Sequence, residues 1–411
     1  MTETLKPTNA AQVLEAVKWA AAEGTPLDVV GRGSKRGFGR AAAPSVGLDL
    51  SGLAGIGRYE PSELFMTAHA ATPMAEIEAA LRQNNQQMAF EPADLGPLFG
   101  GDEDEGTIGG AIACNLAGPR RIKVGAARDH FLGFSAVSGR GEVFKSGGTV
   151  VKNVTGFDLS KLLAGSFGTL AVMTEITFKV LPAPEKTRTV LVFGLADAAA
   201  AMTMAKALGS AHEVSSAAHL PPAAAGRSKV SYVGGAGRAV TAIRVEGPGP
   251  SVEHRCRALK ALLKGKGDIE ELHSENSRTL WREIRDAALL GLAADGAGGR
   301  QVWRLSLPPT AGPGAAETLA RELTGEAYYD WGGGLVWLAV AARPDAGHQI
   351  VRAAIAAAGG HATLVRADAD VRARVPVFEP LAARLGELTA RVKGAFDPKG
   401  VLNPGRMYEG V

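Results

Sequence analysis

The sequence predicts an α+β chain of two parts, and three observations carry that reading. Between Thr107 and Pro182, glycines fall between short β-branched runs rather than inside helices, so the stretch is strand and loop. Leu181-Pro182-Ala183-Pro184 then breaks the pattern, because two prolines after a strand stop a ladder. Beyond it, strands alternate with alanine-rich helical periods, which reads as two β–α–β units with extra strands in a ferredoxin-like α+β arrangement. With 411 residues the chain exceeds one ordinary domain, and 46% hydrophobic with 21% charged residues describes a globular protein.

Composition excludes several functions. A net charge of +3 over this length calls for neither nucleic acid nor an anionic membrane as partner. Cys114 and Cys256 are far apart, so no disulfide scaffold, structural zinc or iron–sulfur cluster is expected. The histidines form no HxH pair and no HExxH, and no metal site is expected. Met1 to Pro7 lacks a secretory signal, and no apolar run approaches the ~20 residues that span a bilayer. A cytoplasmic home is expected, with peripheral docking on a membrane partner left open.

In chain order, Thr8-Asn9-Ala10-Ala11 caps a helix from about Ala10 to Glu23, with Val13, Leu14, Val17 and Ala21 on its apolar face and Gly24 as its stop. Strand Leu27–Val30 runs into Gly31-Arg32-Gly33-Ser34-Lys35-Arg36-Gly37-Phe38-Gly39. Glycines here let backbone N–H groups approach a phosphate, and Arg32, Lys35 and Arg36 add charge. The spacing fits neither GxGxxG opening a helix nor GxxxxGK[ST]. A flexible basic surface loop is the alternative. Val46–Leu50 and Leu64–Ala70 read as strands and Pro73–Asn84 as an amphipathic helix. The acidic run Asp102 to Glu105 reads as a solvated turn. Thr107-Ile108-Gly109-Gly110 offers a second phosphate loop, with Gly33 and Gly109 expected to give N–H groups to the phosphates. Arg121 and Arg128 follow. Phe131–Val137, Thr149–Val154 and Leu170–Val180 read as strands.

Thr107-Ile108-Gly109-Gly110, Asn115, Val154-Thr155-Gly156-Phe157-Asp158-Leu159 and Gly165-Ser166-Phe167-Gly168-Thr169-Leu170 together resemble the FAD-binding domain of the vanillyl-alcohol-oxidase / p-cresol-methylhydroxylase (PCMH) flavoproteins. Within that family the chain is similar to the FAD-binding E subunits of bacterial glycolate oxidases. The resemblance is strong over the first 185 residues or so and over the ending Asp397-Pro398-Lys399-Gly400-Val401-Leu402-Asn403-Pro404-Gly405. It implies a two-subdomain PCMH-type FAD-binding domain over 1–184, a ferredoxin-like cap over 185–394, and a tail over 395–411 returning to the FAD domain. It implies cofactor contacts from Gly31, Arg32, Gly33, Ser34, Lys35 and Gly37; from Thr107, Gly109, Gly110, Asn115 and Arg121; from Lys152, Asn153, Thr155, Gly156, Asp158 and Lys161; and from Gly168, Thr169 and Val172. The loop at 31–39 lacks the histidine that bonds flavin covalently in many members, so non-covalent FAD is expected.

The cap also lacks the histidine-rich metal motif of the catalytic D subunit and related 2-hydroxy-acid dehydrogenases. The comparable place reads Asp330-Trp331-Gly332-Gly333-Gly334-Leu335-Val336-Trp337, where the tryptophans suit packing or an interface. Arg304 is a weak candidate for a carboxylate clamp. The resemblance thus implies an FAD-dependent oxidoreductase of CH–OH groups that works in a complex. Glycolate becomes glyoxylate, beside a catalytic flavoprotein D subunit and an iron–sulfur F subunit. A self-sufficient 2-hydroxy-acid dehydrogenase and a structural flavoprotein subunit without turnover are the alternatives.

Overall fold

The computed structural model of the chain describes residues 4–41, 45–149, 156–292 and 299–411. It divides into two compact units. One comprises Met1–Ala117, Gly125–Ala183 and Pro376–Val411, and the other Gly118–Val124 and Pro184–Val375. Among the described residues, no helix is long and apolar enough to cross a membrane.

The first unit holds two subdomain sheets. In the three-stranded one, β1 (Thr4–Leu5) and β2 (Leu27–Val30) flank β3 (Val46–Asp49), all parallel. Helix Ala10–Glu23 crosses between β1 and β2, N-capped by the Asn9 side chain and closed by left-handed Gly24. The five-stranded antiparallel sheet contains β4 (Ile56–Glu60), β5 (Phe65–His69), β7 (Phe131–Ser138), β8 (Val143–Gly147) and β9 (Ala171–Lys179), in the order β4-β5-β9-β7-β8. Two short strands, β6 (Gln86–Gln87) and β10 (Leu181–Pro182), pair beside it. Val13, Val17, Leu27 and Leu48 share one core with Val401 and Leu402 of the tail, so the tail is part of this unit's interior.

That return begins earlier than residue 395. Helix Ala383–Phe396 delivers the buried Lys393 ammonium to the carbonyls of Thr169 and Leu402, both at 2.7 Å, and to Asp397 Oδ2 at 2.7 Å. Asp397 in turn accepts from the N–H groups of Val401 and Leu402. A buried ammonium needs such partners, which ties the helix to this unit rather than to the cap.

The second unit is one eight-stranded antiparallel sheet made of two like halves. Its strands are β11 (Lys186–Phe193), β12 (Ser216–Leu220), β13 (Val240–Gly247), β14 (Ile269–His273), β15 (Gln301–Ser306), β16 (Gly325–Asp330), β17 (Leu335–Val340) and β18 (His361–Arg366). The order is β14-β11-β13-β12-β16-β17-β15-β18. Each half reads fourth-first-third-second, the ferredoxin-like β-α-β-β-α-β pattern, and the halves join edge to edge where His219 faces Tyr329. Periodicity misses two strands here. Ile-Glu-Glu-Leu-His of β14 and Gly-Glu-Ala-Tyr-Tyr-Asp of β16 carry too many polar residues to read as strands, yet each fills a place its half requires.

The strap Gly118–Val124 belongs to this second unit. Arg120 makes a two-pronged bond to Glu246, at 2.8 and 2.6 Å, with both side chains largely buried. Trp331 Nε1 donates to the Gly118 carbonyl at 3.0 Å.

Candidate functional site

The first unit carries a cleft between the loop leaving β2, the loop at Thr107 to Gly110, the turn at Phe167-Gly168 and the tail residues Asn403 and Arg406. Its floor is the loop leaving β2. Gly33 turns there at φ +81°, a left-handed value that glycine adopts without strain, and the Gly33 carbonyl accepts from Arg36 N–H at 3.1 Å. Among the described residues, the backbone N–H groups of Arg32, Gly33, Ser34 and Lys35 donate to no protein acceptor. Successive free N–H groups on a turn are a receptacle for an anion. Such groups, on a loop that lines a cleft, call for a partner from outside the chain.

The charges around the loop are unequal in their freedom. Arg36 pairs with Asp28, and Arg32 pairs with Glu105 at 2.7 Å, so part of the acidic run expected to be solvated is an ion-pair partner. The Lys35 ammonium bonds only the Ser34 hydroxyl, at 3.0 Å, and has no carboxylate within ion-pair distance among the described residues. Burial pushes its ammonium below the ordinary lysine value, while Cys114 and Asp94 pull it partly back. Burial likewise pushes the Cys114 thiol up, against Lys35 and Arg406.

The second glycine loop departs from expectation. Gly109 N–H donates to Ala70 O at 2.7 Å, Gly110 N–H to Thr107 Oγ1 at 3.2 Å, and Ile108 N–H to Thr72 O at 3.1 Å. Its N–H groups are therefore spent inside the protein, and Gly109 is not a phosphate donor as the sequence suggested. Its glycines serve close packing instead. A Cβ on Gly109 would lie 2.6 Å from the Ala70 carbonyl, and one on Gly110 would lie 3.0 Å from Lys35 Cε. The two loops also meet at Gly31, where a Cβ would lie 2.8 Å from Thr107 Oγ1.

The C-terminal tail supplies residues that sequence reasoning missed. Asn403 accepts from Val29 N–H at 2.7 Å and donates to Phe167 O at 2.8 Å, joining the end of β2 to the turn before Gly168. Arg406 donates to the carbonyl of Arg36 at 2.9 Å, and both tail residues line the cleft. The Asp397–Gly405 motif marked the return, but no local pattern told which of its side chains would reach the loop.

Of the expected contacts, Gly31, Arg32, Gly33, Ser34, Lys35, Thr107, Gly109, Gly110, Gly168 and Val172 line the cleft. Gly37 does not; it makes room for the Phe99 ring. Asn115 is held away, left-handed at φ 48°, accepting from Arg128 N–H. Thr169 is structural, its hydroxyl on Ser166 O and its carbonyl on Lys393. Asp158 caps helix Leu159–Leu163, Lys161 bonds Phe131 O, and neither these nor Gly156 lines the cleft. Arg121 and Arg304 both belong to the second unit, over the Trp331 ring. Lys152, Asn153 and Thr155 lie outside the described residues.

Residues 3–147 match the FAD binding domain family. The p-cresol methylhydroxylase structure superposes with a TM-score of 0.71 at 14% identity, covering 98% of this chain and 88% of that one, which establishes the shared fold. Glycolate oxidase subunit GlcD of Bacillus subtilis is 32% identical over 193 residues, 46% of this chain and 41% of that protein. Glycolate oxidase subunit GlcE of Escherichia coli K12 is 35% identical over 396 residues, 96% of each chain. With that likeness running end to end, and an FAD-binding domain at its front, the chain belongs to the glycolate oxidase subunit GlcE family of FAD-linked oxidoreductases.

Proposed function

We propose that this chain holds FAD non-covalently in the cleft of its first unit and works as the FAD-binding subunit of a multi-subunit glycolate oxidase. The observation that carries the site is the set of free N–H groups from Arg32 to Lys35 beside a buried ammonium without a carboxylate partner. That donor set fits the pyrophosphate of a dinucleotide. Gly31 and Gly110 let the two loops pack closely against each other at the cleft, and Leu50, Ala70, Ala171 and Met173 give it apolar walls. Bound flavin supplies two-electron redox chemistry. Around it the chain's own residues bind and orient: the N–H groups of the loop, Lys35 as a point charge, and Asn403 and Arg406 fastening the loop from the tail.

In this reading glycolate is oxidised to glyoxylate within the complex, and electrons leave this chain for an iron–sulfur partner. Two lone cysteines give the chain no cluster of its own, so a partner must carry one. The catalytic D subunit and the iron–sulfur F subunit are the proposed partners, a proposal supported by the names of the E- and D-subunit relatives and by the family resemblance. The test is direct. Purified protein is expected to be yellow, and acid precipitation should leave the flavin in the supernatant. Alone it should show little glycolate-dependent dye reduction, and with its partners it should co-purify as an active assembly. A colourless protein sinks the cofactor assignment, and full turnover by the isolated chain sinks the subunit assignment.

A further inference from the structure

The second unit holds a pair of cations, Arg121 and Arg304, whose side chains form no ion pair or hydrogen bond among the described residues. Arg304 lies mid-strand in β15, opposite Trp337 of β17 and Thr363 of β18. Its strand neighbour Trp303 faces the other way, its ring lying 5.2 Å from the guanidinium of Arg352 on helix His348–Ala358. Arg304 therefore emerges on the sheet face away from that helix. There its guanidinium lies over the Trp331 ring at 5.0 Å, and Arg121 of the strap lies over the Trp331 ring at 4.5 Å. The indole is fixed from both ends. Its Nε1 donates to Gly118 O at 3.0 Å, and the Trp331 backbone N–H donates to Asp330 Oδ1 at 2.7 Å.

Neither the Arg121 nor the Arg304 side chain forms a hydrogen bond or ion pair with any described residue. The contrast with Arg120 is instructive. The strap commits Arg120 to Glu246 and leaves the next arginine over the Trp331 ring. Burial, then repulsion from Arg121, lowers Arg304 to about 10, with Asp330 acting in the opposite sense. At neutral pH Arg304 therefore stays charged. Two guanidiniums on one indole, with Asp330 the carboxylate acting on Arg304, favour an anion between them.

We propose that Arg121 and Arg304, seated on Trp331, form a binding site for a small monocarboxylate. Guanidinium forks match a carboxylate's two oxygens, and the indole plane holds the forks in place where a lysine would swing free. If the carboxylate is glycolate or glyoxylate, the inference deepens the functional reading above and rests on it; if it is another monocarboxylate, the site stands alone.

The experiment is isothermal titration of the flavin-loaded chain with glycolate, glyoxylate and acetate, with neutral glycolamide and inorganic phosphate as controls. Saturable binding of the carboxylates and none of glycolamide is expected. R304M and R121M should each weaken it roughly tenfold or more, the loss of a charged hydrogen-bond donor, and R304K should restore part. Arg121 is exposed, so R121M reports even where R304M fails to fold. Glycolate or glyoxylate binding more tightly than acetate assigns the site to substrate or product, and equal affinities assign it to monocarboxylates in general. No saturable binding, tighter binding of phosphate, or unchanged affinity in R121M overturns the proposal. Flavin absorbance is followed throughout. Its loss from the wild type would break the cofactor reading and leave the carboxylate result intact.

Discussion

Two glycine loops in the first unit look alike as sequence and differ in use. Gly31 to Lys35 leaves its N–H groups from Arg32 onward unspent. Thr107 to Gly110 spends the N–H groups of Ile108, Gly109 and Gly110 on Thr72, Ala70 and its own threonine. The first loop keeps its donors open and the second packs behind it. What separates them is not glycine content but what the neighbouring chain offers: carbonyls at Ala70 and Thr72 for one, open cleft for the other. A glycine can mean a needed N–H or a needed absence of Cβ, and only the acceptors that surround it tell which.

That comparison can be broken by substitution. The largest effect is expected from Gly109→Val, whose Cβ would meet the Ala70 carbonyl at 2.6 Å. It should destabilise the first unit by about 3 kcal/mol and lose flavin only because folding is lost. Thermal unfolding of the flavin-free protein checks this; an unchanged melting temperature would restore Gly109 as a phosphate donor.

Gly33→Val should do the reverse. Nothing lies closer than 3.6 Å to its added Cβ, but φ +81° costs a β-branched residue roughly 1–2 kcal/mol and distorts the loop. Flavin affinity should fall about tenfold or more while the fold survives, read by absorbance titration of refolded, flavin-stripped protein.

A smaller, pH-dependent effect belongs to Lys35. Its depressed proton affinity means that the ammonium is lost at a lower pH than in an exposed lysine. Flavin affinity should therefore weaken as pH rises through that lowered value. Folding stability of the flavin-free protein should rise over the same window, since the unfolded chain there binds more protons. Lys35→Arg should flatten the alkaline decline, and an identical decline in that variant would clear Lys35 of the role.

The smallest effect is expected from Thr107→Ala, which removes the cap on Gly110 N–H. A cost of about 1 kcal/mol in the denaturant midpoint is expected, with flavin affinity nearly kept.

Much of the fold was legible because it is written in local periods. Helix Ala10–Glu23 shows its apolar stripe and both caps in sequence, and β9 shows its β-branched run. Strands β14 and β16 were not legible, because their polar residues suit strands only where other strands and helices already stand beside them. In the site, the first loop could be read from glycine, basic residues and a preceding strand. Asn403 and Arg406 could not, since they reach Val29 of β2 and Arg36 of the loop from some 370 positions away.

By itself the sequence determined the glycine-rich loop after β2, the proline break at Leu181–Pro184 and the pair of strand–helix alternations. These are properties of neighbouring residues: allowed backbone angles, side-chain period, missing donors. Only the tertiary structure decided which glycine N–H groups stay free, that Arg120 is spent on Glu246 while Arg121 is not, and that Lys393 anchors the closing helix to the first unit. The reason is physical. A hydrogen bond or an ion pair is satisfied or left open by atoms far away in the chain, and a residue's own surroundings in sequence carry no record of that partner.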